Sequence, residues 1–319
     1  MLLNIASIVA VVLAAATATT EARPSGGCHF DNLLVFGDSY SDVGNVYKLS
    51  KGAWPLKAYD HGRFTNGPVW SEHVARHNHL KLKNYAYGGA TTDSKFVQGY
   101  SGAASDLPVP GFIQQIDQLY SSKPIPQKDL ASSIFVVDFQ GNDYFFNPSA
   151  SPVAVVQNIE NGIEKLVKLG AQNILVVENF DYGTIPYFNG NATIAGAFSQ
   201  AATAQLVAYK DLERRLAKKY GRPSDSKHPF RGACSNNNSN KKDKKPKVTF
   251  GYYKLNDLLN HLREPKVLKR LGITDVVHGC VSNDYKTVCK DAGKHLFWDA
   301  FHPTAKVHKA LGDAITELI

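Results

Sequence analysis

Short runs of continuous apolar residues alternate along the chain with longer amphipathic segments. Four such runs end at or near turn residues: 33–36, 134–137, 174–177 and 248–250. Runs of this length that are rich in β-branched residues are typical of strands buried on both faces. Apolar residues recur every three or four positions over 153–169, 196–219 and 304–318, which predicts helices. Strands that alternate with helices indicate an α/β fold, in which helices cover both faces of a central parallel sheet.

The N-terminal segment differs from the rest of the chain. Residues 2–16 form an apolar run without a charged side chain, and small residues follow, with candidate cleavage sites at residues 18 and 22. An apolar segment this short at the extreme N-terminus is typical of a secretory signal rather than of a membrane anchor. We therefore expect a signal peptide over 1–22 and a single domain over 23–319 of a secreted, extracellular protein. Asn191 and Asn237 begin glycosylation sequons, in agreement with secretion.

The chain contains four cysteines, which an oxidising compartment would allow to pair in three ways. Cys280 and Cys289 lie nine residues apart in a polar segment, and this spacing favours a local disulfide. Cys28 and Cys234 would then form the remaining pair. Because there is no CxxC pair, we expect no zinc site, and because His73 and His77 are not in HExxH order, we expect no metal there either.

The net charge of +8 over 319 residues is concentrated in one place. Residues 221–247 are almost free of apolar side chains, and residues 241–247 alone contribute five positive charges and one negative. The positive charges are those of Lys241, Lys242, Lys244, Lys245 and Lys247. This segment predicts a basic surface insertion within one domain, able to make weak contact with anionic surfaces. No basic stripe with interleaved aromatic residues occurs, so we expect no nucleic-acid partner, and we expect a monomer.

Candidate chemistry lies directly after the first predicted strand and before the last predicted helix. Ser39 follows the first strand and would stand at the carboxyl edge of the sheet, where parallel α/β folds bind ligands. A serine hydroxyl needs a positioned base to act as a nucleophile. Asp299 and His302 are three residues apart, so the carboxylate could hold the imidazole. The chain has no GxSxG sequence, which disfavours the α/β-hydrolase fold despite the order Ser, Asp, His.

Two further segments offer hydrogen-bond donors for an oxyanion. The segment 84–91 contains Gly88 and Gly89, whose backbone can approach a substrate closely, and Asn142 in the Gly-Asn-Asp sequence 141–143 offers a side-chain amide. Aromatic residues follow the 141–143 segment and the next strand, and they could either line a pocket or fill the core. Trp54, Tyr144 and Phe301 are the candidate pocket residues.

The combination and order of these segments resemble those of the GDSL esterases and lipases, also called SGNH hydrolases, from about residue 30 to the end of the chain. The matching segments are Gly37-Asp38-Ser39, the glycine segment that begins at Asn84, 141–143, Asp299 with His302, and the GRFxNG sequence at 62–67. Tyr40 replaces the leucine of the GDSL name. The resemblance implies a three-layer α/β/α, flavodoxin-like fold without a metal or cofactor.

The resemblance also implies a role for each matching residue. Ser39 would be the nucleophile, His302 the general base and later acid, and Asp299 the residue that orients His302. The oxyanion donors would be the backbone N–H groups of Ser39 and Gly88 and the side-chain amide of Asn142; counting from Asn84 favours Gly88 over Gly89. Asp38 and Asp143 are interpreted as structural residues of their turns.

The function predicted from these residues is that of a secreted esterase or lipase acting on carboxylic esters. Deacetylation of plant polysaccharides and phospholipid hydrolysis are alternatives within the same chemistry. A secreted binding module on an inactive hydrolase fold is a non-enzymatic alternative. The presence of Ser39, Asp299 and His302 together argues against a pure binding module, because binding alone does not require all three.

Overall fold

The computed structural model describes residues 29–122, 125–221, 227–230 and 247–319. Several sequence-based predictions lie outside these ranges and stay predictions: the signal peptide over 1–22, the Cys28–Cys234 pair, the sequon at Asn237, and the lysines of the insertion other than Lys247. Within the described ranges, no helix has the length and apolar character needed to cross a bilayer.

The described part of the chain alternates between strands and helices. The strands are β1 Asn32–Gly37, β2 Lys81–Asn84, β3 Gly99–Ser101, β4 Leu107–Val109, β5 Ser133–Asp138, β6 Asn173–Glu178, β7 Thr249–Lys254, β8 Asp275–Gly279 and β9 His295–Phe297. The helices are α1 Asn45–Leu49, α2 Trp70–His77, α3 Phe112–Ser122, α4 Asn142–Phe146, α5 Pro152–Lys168, α6 Ala192–Tyr220, α7 Leu255–Leu262, α8 Pro265–Leu271 and α9 Ala305–Thr316. The four predicted strands correspond to β1, β5, β6 and β7, and the three predicted helices to α5, α6 and α9, so these predictions are confirmed.

Five strands form the central sheet, in the spatial order β2-β1-β5-β6-β7. All four pairings are parallel. Numbered along the chain, this is the 2-1-3-4-5 order of flavodoxin-like folds, as predicted. The edge strand β2 was not predicted, because its sequence Lys-Leu-Lys-Asn has one apolar residue and is only partly buried. The β3–β4 hairpin and the β8–β9 pair form two small separate sheets.

Helices cover both faces of the central sheet, which confirms the three-layer arrangement. Alternate residues of β1 face opposite sides: Leu33 belongs to a core that includes side chains of α2, α7 and α9, whereas Leu34 belongs to a second core that includes side chains of α3, α5 and α6. The central strands β1, β5 and β6 are buried along their whole length. This burial on both faces explains why these strands appear in the sequence as continuous apolar runs.

The parallel sheet brings the candidate segments to one edge. Ser39 follows the end of β1, Gly88 and Gly89 follow the end of β2, and Asn142 follows the end of β5. Because neighbouring parallel strands end at the same side, the loops after them meet there. The Asp299–His302 segment enters from the C-terminal end of β9 and leads into α9. A Cys280–Cys289 disulfide closes the loop between β8 and β9, as predicted.

Candidate active site

Ser39 lies in a tight turn after β1 and keeps 9% of its surface exposed. The neighbouring Asp38 is fully buried, and its carboxylate accepts hydrogen bonds from the backbone N–H of Tyr40 (3.0 Å) and of Gln140 (2.5 Å). Asp38 therefore links the turn after β1 to the loop after β5. Burial, and next the charge of Asp138, raise the pKa of Asp38 well above its ordinary value. These contacts agree with a structural role for Asp38.

The Asp299 carboxylate holds the imidazole of His302 through the Nδ1 atom, 2.7 Å from Oδ2. Asp299 Oδ1 also accepts the backbone N–H groups of Phe301 (2.8 Å) and His302 (2.7 Å). An ionised carboxylate only accepts hydrogen bonds, so Nδ1 carries the proton and Nε2 of the neutral ring keeps its lone pair. The pair thus has the geometry of a base held by a carboxylate, with Nε2 free to take a proton.

Asp299 is ionised although it is 3% exposed. Burial alone would raise the pKa of this carboxyl, but the charge of His302 and the hydrogen bonds from His302, Tyr59 and the Phe301 N–H outweigh burial and leave the pKa below its ordinary value. The Tyr59 hydroxyl donates to Asp299 Oδ2 over 2.6 Å. Tyr59 was not among the residues predicted from the sequence, because nothing in its local sequence connects it with a residue so far along the chain.

A cavity of about 300 Å³ joins the predicted residues. Ser39, His302 and Asn142 all line it, and so do Trp54 and Phe301, two of the three predicted pocket residues. The structure therefore brings together residues from the loops after β1, β5 and β9, together with one from the segment between α1 and α2. Asp299 lies behind His302, away from the cavity lining.

The structure does not place the Gly88 N–H, predicted as an oxyanion donor, at the cavity. The Gly88 N–H donates to the buried carboxylate of Asp42 over 2.9 Å and does not line the cavity. Gly89 lines the cavity, and its N–H has no acceptor within the ranges that the structure describes. Gly89 has φ +87°, and a Cβ built there would lie 2.0 Å from the carbonyl oxygen of Tyr100, so the backbone requires glycine. Two adjacent glycines offer no sequence signal that separates these roles.

Asn142 is the first residue of α4, and its side-chain amide lies at the cavity. Nδ2 donates to the Ala90 carbonyl (3.0 Å), and it lies 3.3 Å from a carboxylate oxygen of Asp38. These two contacts orient the amide. The next residue, Asp143, is buried and accepts from the N–H (3.0 Å) and hydroxyl (2.7 Å) of Thr92, and burial raises its pKa to about 6. These contacts agree with a structural role for Asp143.

Tyr144 does not line the cavity, so this part of the pocket prediction is wrong. Its side chain is 2% exposed and packs against Tyr182 with ring centroids 5.8 Å apart. Phe145 and Phe146 line the cavity instead. The helical repeat explains the difference, because positions three and four residues after Asn142 share its face of α4 whereas the position two residues after it does not.

Aromatic side chains form most of the cavity wall. Phe301 packs against Tyr187 and Phe145, with ring centroids 4.5 and 5.5 Å apart. Further aromatic residues of the lining are Tyr40, Phe64, Tyr100, Phe180, Tyr182 and Tyr285. Besides the tyrosines, the polar side chains of the lining are those of Ser39, Ser101, Ser105, Gln140, Asn142 and His302. The aromatic part of this lining suits an apolar group of a ligand.

Comparison with known proteins identifies relatives over most of the chain. Residues 33–315 match the GDSL-like lipase/acylhydrolase family. A GDSL esterase/lipase of Arabidopsis thaliana is 24% identical over 326 residues, covering 86% of this chain and 84% of the plant protein. The thermolabile hemolysin of Vibrio parahaemolyticus is 27% identical over 159 residues, covering 50% of this chain and 36% of the hemolysin. The chain thus spans about a third of the length of that bacterial relative. The crystal structure of a lipase/acylhydrolase from Enterococcus faecalis aligns with 90% of this chain and 94% of its own, at 14% identity and a TM-score of 0.41.

Proposed function

The chain belongs to the GDSL-like lipase/acylhydrolase family, and we propose that it hydrolyses carboxylic esters through an acyl-enzyme formed on Ser39. One observation carries the proposal: Ser39 and His302 line the same cavity, and Asp299 holds the Nδ1 atom of His302 at 2.7 Å. A nucleophile, a base and an orienting carboxylate are the three groups that serine-dependent acyl transfer requires.

The proposed reaction has two stages. In the first, Ser39 Oγ attacks the ester carbonyl carbon while Nε2 of His302 takes the hydroxyl proton. The tetrahedral intermediate collapses when the bond from carbon to the alcohol oxygen breaks, and His302 returns the proton to the leaving alcohol. In the second stage, His302 takes a proton from water, and the resulting hydroxide attacks the acyl carbon. The bond to Ser39 Oγ then breaks, the serine recovers its proton, and the carboxylic acid leaves.

Three donors would stabilise the negative oxygen of each tetrahedral intermediate, provided that one N–H of the Asn142 amide leaves its acceptor, the Asp38 carboxylate at 3.3 Å or the Ala90 carbonyl at 3.0 Å. They are the N–H of Ser39, the N–H of Gly89 and the side-chain amide of Asn142. Two contacts support Gly89 in place of Gly88: the Gly88 N–H is bound to Asp42, whereas Gly89 lies at the cavity with no acceptor in the described part of the chain. Donors already oriented before the reaction contribute most of the stabilisation of such intermediates.

The cavity lining favours an apolar acyl group as the part of the substrate bound beside Ser39. Burial of one methylene contributes about 0.8 kcal/mol, which corresponds to roughly a fourfold change in an equilibrium or rate ratio. We therefore expect kcat/KM to rise by roughly fourfold per added methylene from p-nitrophenyl acetate to the butyrate, and to level off once the chain fills the cavity. A flat or falling series would contradict an acyl pocket.

Secretion is proposed on two observations. The Cys280–Cys289 disulfide fits an oxidising compartment. Asn191 is exposed at the start of α6, where its Oδ1 accepts the Ile194 N–H over 3.1 Å, so the Nδ2 atom that a glycan would modify faces away from that bond. Expression in a secretory host tests whether Asn191 is glycosylated. After glycosidase treatment, the wild type should lose the mass of a glycan at residue 191, and Asn191→Gln should not.

The Ser39→Ala variant tests the reaction, with Ser149→Ala as the matched control because Ser149 is exposed. We expect the first variant to fold and to lose hydrolysis of p-nitrophenyl butyrate, and the control to keep it. Full activity of Ser39→Ala would overturn the proposal. Acetylated xylan and phosphatidylcholine, assayed alongside, separate the substrate classes. Saturable binding of these compounds without turnover of any ester would indicate a binding module instead.

A further inference from the structure

The GRFxNG sequence at 62–67 lies in a segment that the proposed reaction leaves unexplained. Residues 59–66, named here the clamp segment, precede α2 and contain none of the proposed reactive groups. They contact the chain between Asp299 and Ala305 at four points. The Tyr59 hydroxyl donates to Asp299 Oδ2 (2.6 Å), and the Thr65 hydroxyl donates to the Pro303 carbonyl (2.9 Å).

The other two contacts of the clamp segment are with the imidazole and with the start of α9. The ring of Phe64 packs against the ring of His302, with centroids 5.3 Å apart. The Ala305 N–H, at the start of α9, donates to Asn66 Oδ1 over 2.8 Å. The clamp segment therefore follows the Asp299–His302 loop from its carboxylate to the helix that begins after it.

Arg63 attaches the clamp segment to α2. Its Nε and Nη2 atoms each donate to a different carboxylate oxygen of Glu72, at 2.7 Å, and Nη1 donates to Asp60 Oδ2 at 3.0 Å. A two-pronged arginine–carboxylate pair fixes both the distance and the orientation of its partners. The pair is largely shielded from water, since the side chains are 15% and 19% exposed. The segment thus has a rigid base from which Tyr59 reaches Asp299.

We propose that Tyr59 is a positioning residue of the hydrolase, whose hydroxyl holds the Asp299 carboxylate against His302. The same hydrogen bond reduces the negative charge on the carboxylate oxygen that contacts the imidazole. This proposal rests on the proposed function. Tyr59 donates to Oδ2, the same oxygen that lies 2.7 Å from His302 Nδ1. A second donor on that oxygen withdraws electron density from the bond to the imidazole, so the protonated ring is stabilised less and the ring stays available as a base at lower pH.

The packing around Tyr59 keeps this donor in place. Its ring lies among Trp54, Phe64, Tyr285 and Trp298, with centroid distances of 6.2–6.5 Å. Burial, and next the charge of Asp299, raise the pKa of Tyr59, so the hydroxyl is protonated at neutral pH. The hydroxyl can therefore serve as a constant donor.

Other titratable groups face the Asp299–His302 pair but do not replace Tyr59. Tyr40, after β1, donates its hydroxyl to the Phe301 carbonyl (3.1 Å), and Tyr285 faces the pair from the loop closed by the disulfide; burial raises the pKa of both. His308 of α9 is fully buried, and burial lowers its pKa to about 3, so it is neutral above that pH. Within the described part of the chain, the side-chain donors to Asp299 are Tyr59 and His302 alone.

The Tyr59→Phe variant removes the hydroxyl and keeps the ring. We expect kcat for p-nitrophenyl butyrate to fall by roughly tenfold, the order expected for one hydrogen bond to an ionised group. We also expect the acid limb of the kcat/KM–pH profile to move to higher pH, because Asp299 then stabilises the protonated imidazole more strongly. The matched control is Tyr209→Phe, which removes a buried hydroxyl from α6 and should leave the profile in place. A wild-type profile for Tyr59→Phe would overturn the proposal, and so would a loss of activity without a shift of the acid limb.

A second variant covers the case in which Tyr59→Phe does not fold. Replacing Tyr59 by 3,5-difluorotyrosine keeps the hydroxyl and makes it a stronger donor, so the acid limb should move to lower pH, opposite to Tyr59→Phe. An unmoved or oppositely moved limb would overturn the proposal.

A double-mutant cycle with Asp299→Asn tests whether Tyr59 acts through Asp299. The effect of Tyr59→Phe on kcat should shrink in the Asp299→Asn background, whereas additive effects would contradict the proposal. Failure of the proposed function is distinguishable, because then either the wild type hydrolyses no ester or Ser39→Ala and Asp299→Asn keep full activity. If those two variants lose activity while Tyr59→Phe behaves as wild type, the role of Tyr59 alone is wrong.

Discussion

The exchange of Gly89 for alanine probes both the backbone and the proposed oxyanion site. At φ +87°, an L-residue costs about 1–2 kcal/mol because its Cβ crowds the neighbouring carbonyl. The larger effect is steric: the new Cβ would lie 2.0 Å from the Tyr100 carbonyl oxygen and 2.8 Å from its carbon, in the hairpin formed by β3 and β4. Both are backbone atoms and cannot rotate away, so the loop itself must shift.

Such a shift would displace the Gly89 N–H from its place at the cavity. Loss of one oxyanion donor lowers kcat by about 10²–10³-fold in acyl-transfer enzymes. We therefore expect Gly89→Ala to lower kcat for p-nitrophenyl butyrate by about two to three orders of magnitude. KM should change much less, because the donor acts mainly on the charged intermediate rather than on the neutral ester.

A glycine with the same backbone restriction but free space around it separates the two effects. Gly272, which ends α8, has φ +66°, and a Cβ there meets no atom within 4 Å. Gly272→Ala should lower the free energy of unfolding by about 1–2 kcal/mol and leave kcat unchanged. Urea unfolding and steady-state kinetics of both variants provide the comparison. If Gly89→Ala keeps wild-type kcat while it remains folded, the assignment of its N–H to the oxyanion site is refuted.

Two further predictions concern stability. Glu178 of β6 is 3% exposed, and burial raises its pKa from 4.5 to about 7. Because the folded state holds this proton more tightly than the unfolded state, Glu178 should reduce stability as pH rises from about 4.5 to 7, by on the order of 3 kcal/mol. Burial also raises the pKa of Asp38, Asp42 and Asp143, so both proteins should lose stability between pH 4 and pH 8. In urea unfolding the loss should be larger by this amount in the wild type than in Glu178→Gln, and equal losses would contradict the prediction. Replacement of Cys280 and Cys289 by serine should lower the free energy of unfolding by about 2–3 kcal/mol, as expected for a short closed loop. The same double variant should raise KM, because the loop carries the cavity residue Tyr285; unchanged urea midpoints and KM would show that the disulfide supports neither.

The sequence alone determined the central architecture. β1, β5, β6 and β7 were predictable because strands buried on both faces must be apolar at every position, and this requirement leaves a continuous run. The edge strand β2 escaped prediction because its lysines are free to reach solvent, so no such requirement acts on its sequence. The short disulfide loop was also predictable from local sequence, because Cys280 and Cys289 are only nine residues apart in a polar segment and can pair without contacts to distant parts of the chain.

The candidate site was predictable only where residue type and order carried the information. Ser39, Asp299 and His302 belong to short sequence patterns; Ser39 follows a predicted strand, and Asp299 and His302 precede a predicted helix. The choice between Gly88 and Gly89, and the choice of Phe145 over Tyr144, had no sequence signal. The first depends on a hydrogen bond to the Asp42 carboxylate, and the second depends on the direction in which α4 leaves the sheet edge.

Only the tertiary structure revealed the role of the clamp segment. Tyr59 and Asp299 are 240 positions apart in the sequence. They meet because Tyr59 lies between β1 and α2, Asp299 lies between β9 and α9, and both connections reach the same edge of the sheet. Local patterns determine elements and reactive residue types because those follow from burial and short-range chemistry. Contacts between distant segments decide the rest, and those contacts form only when the chain is folded. They leave the Gly89 N–H without an acceptor in the described part of the chain, turn Phe145 toward the cavity and bring the Tyr59 hydroxyl to the Asp299 carboxylate.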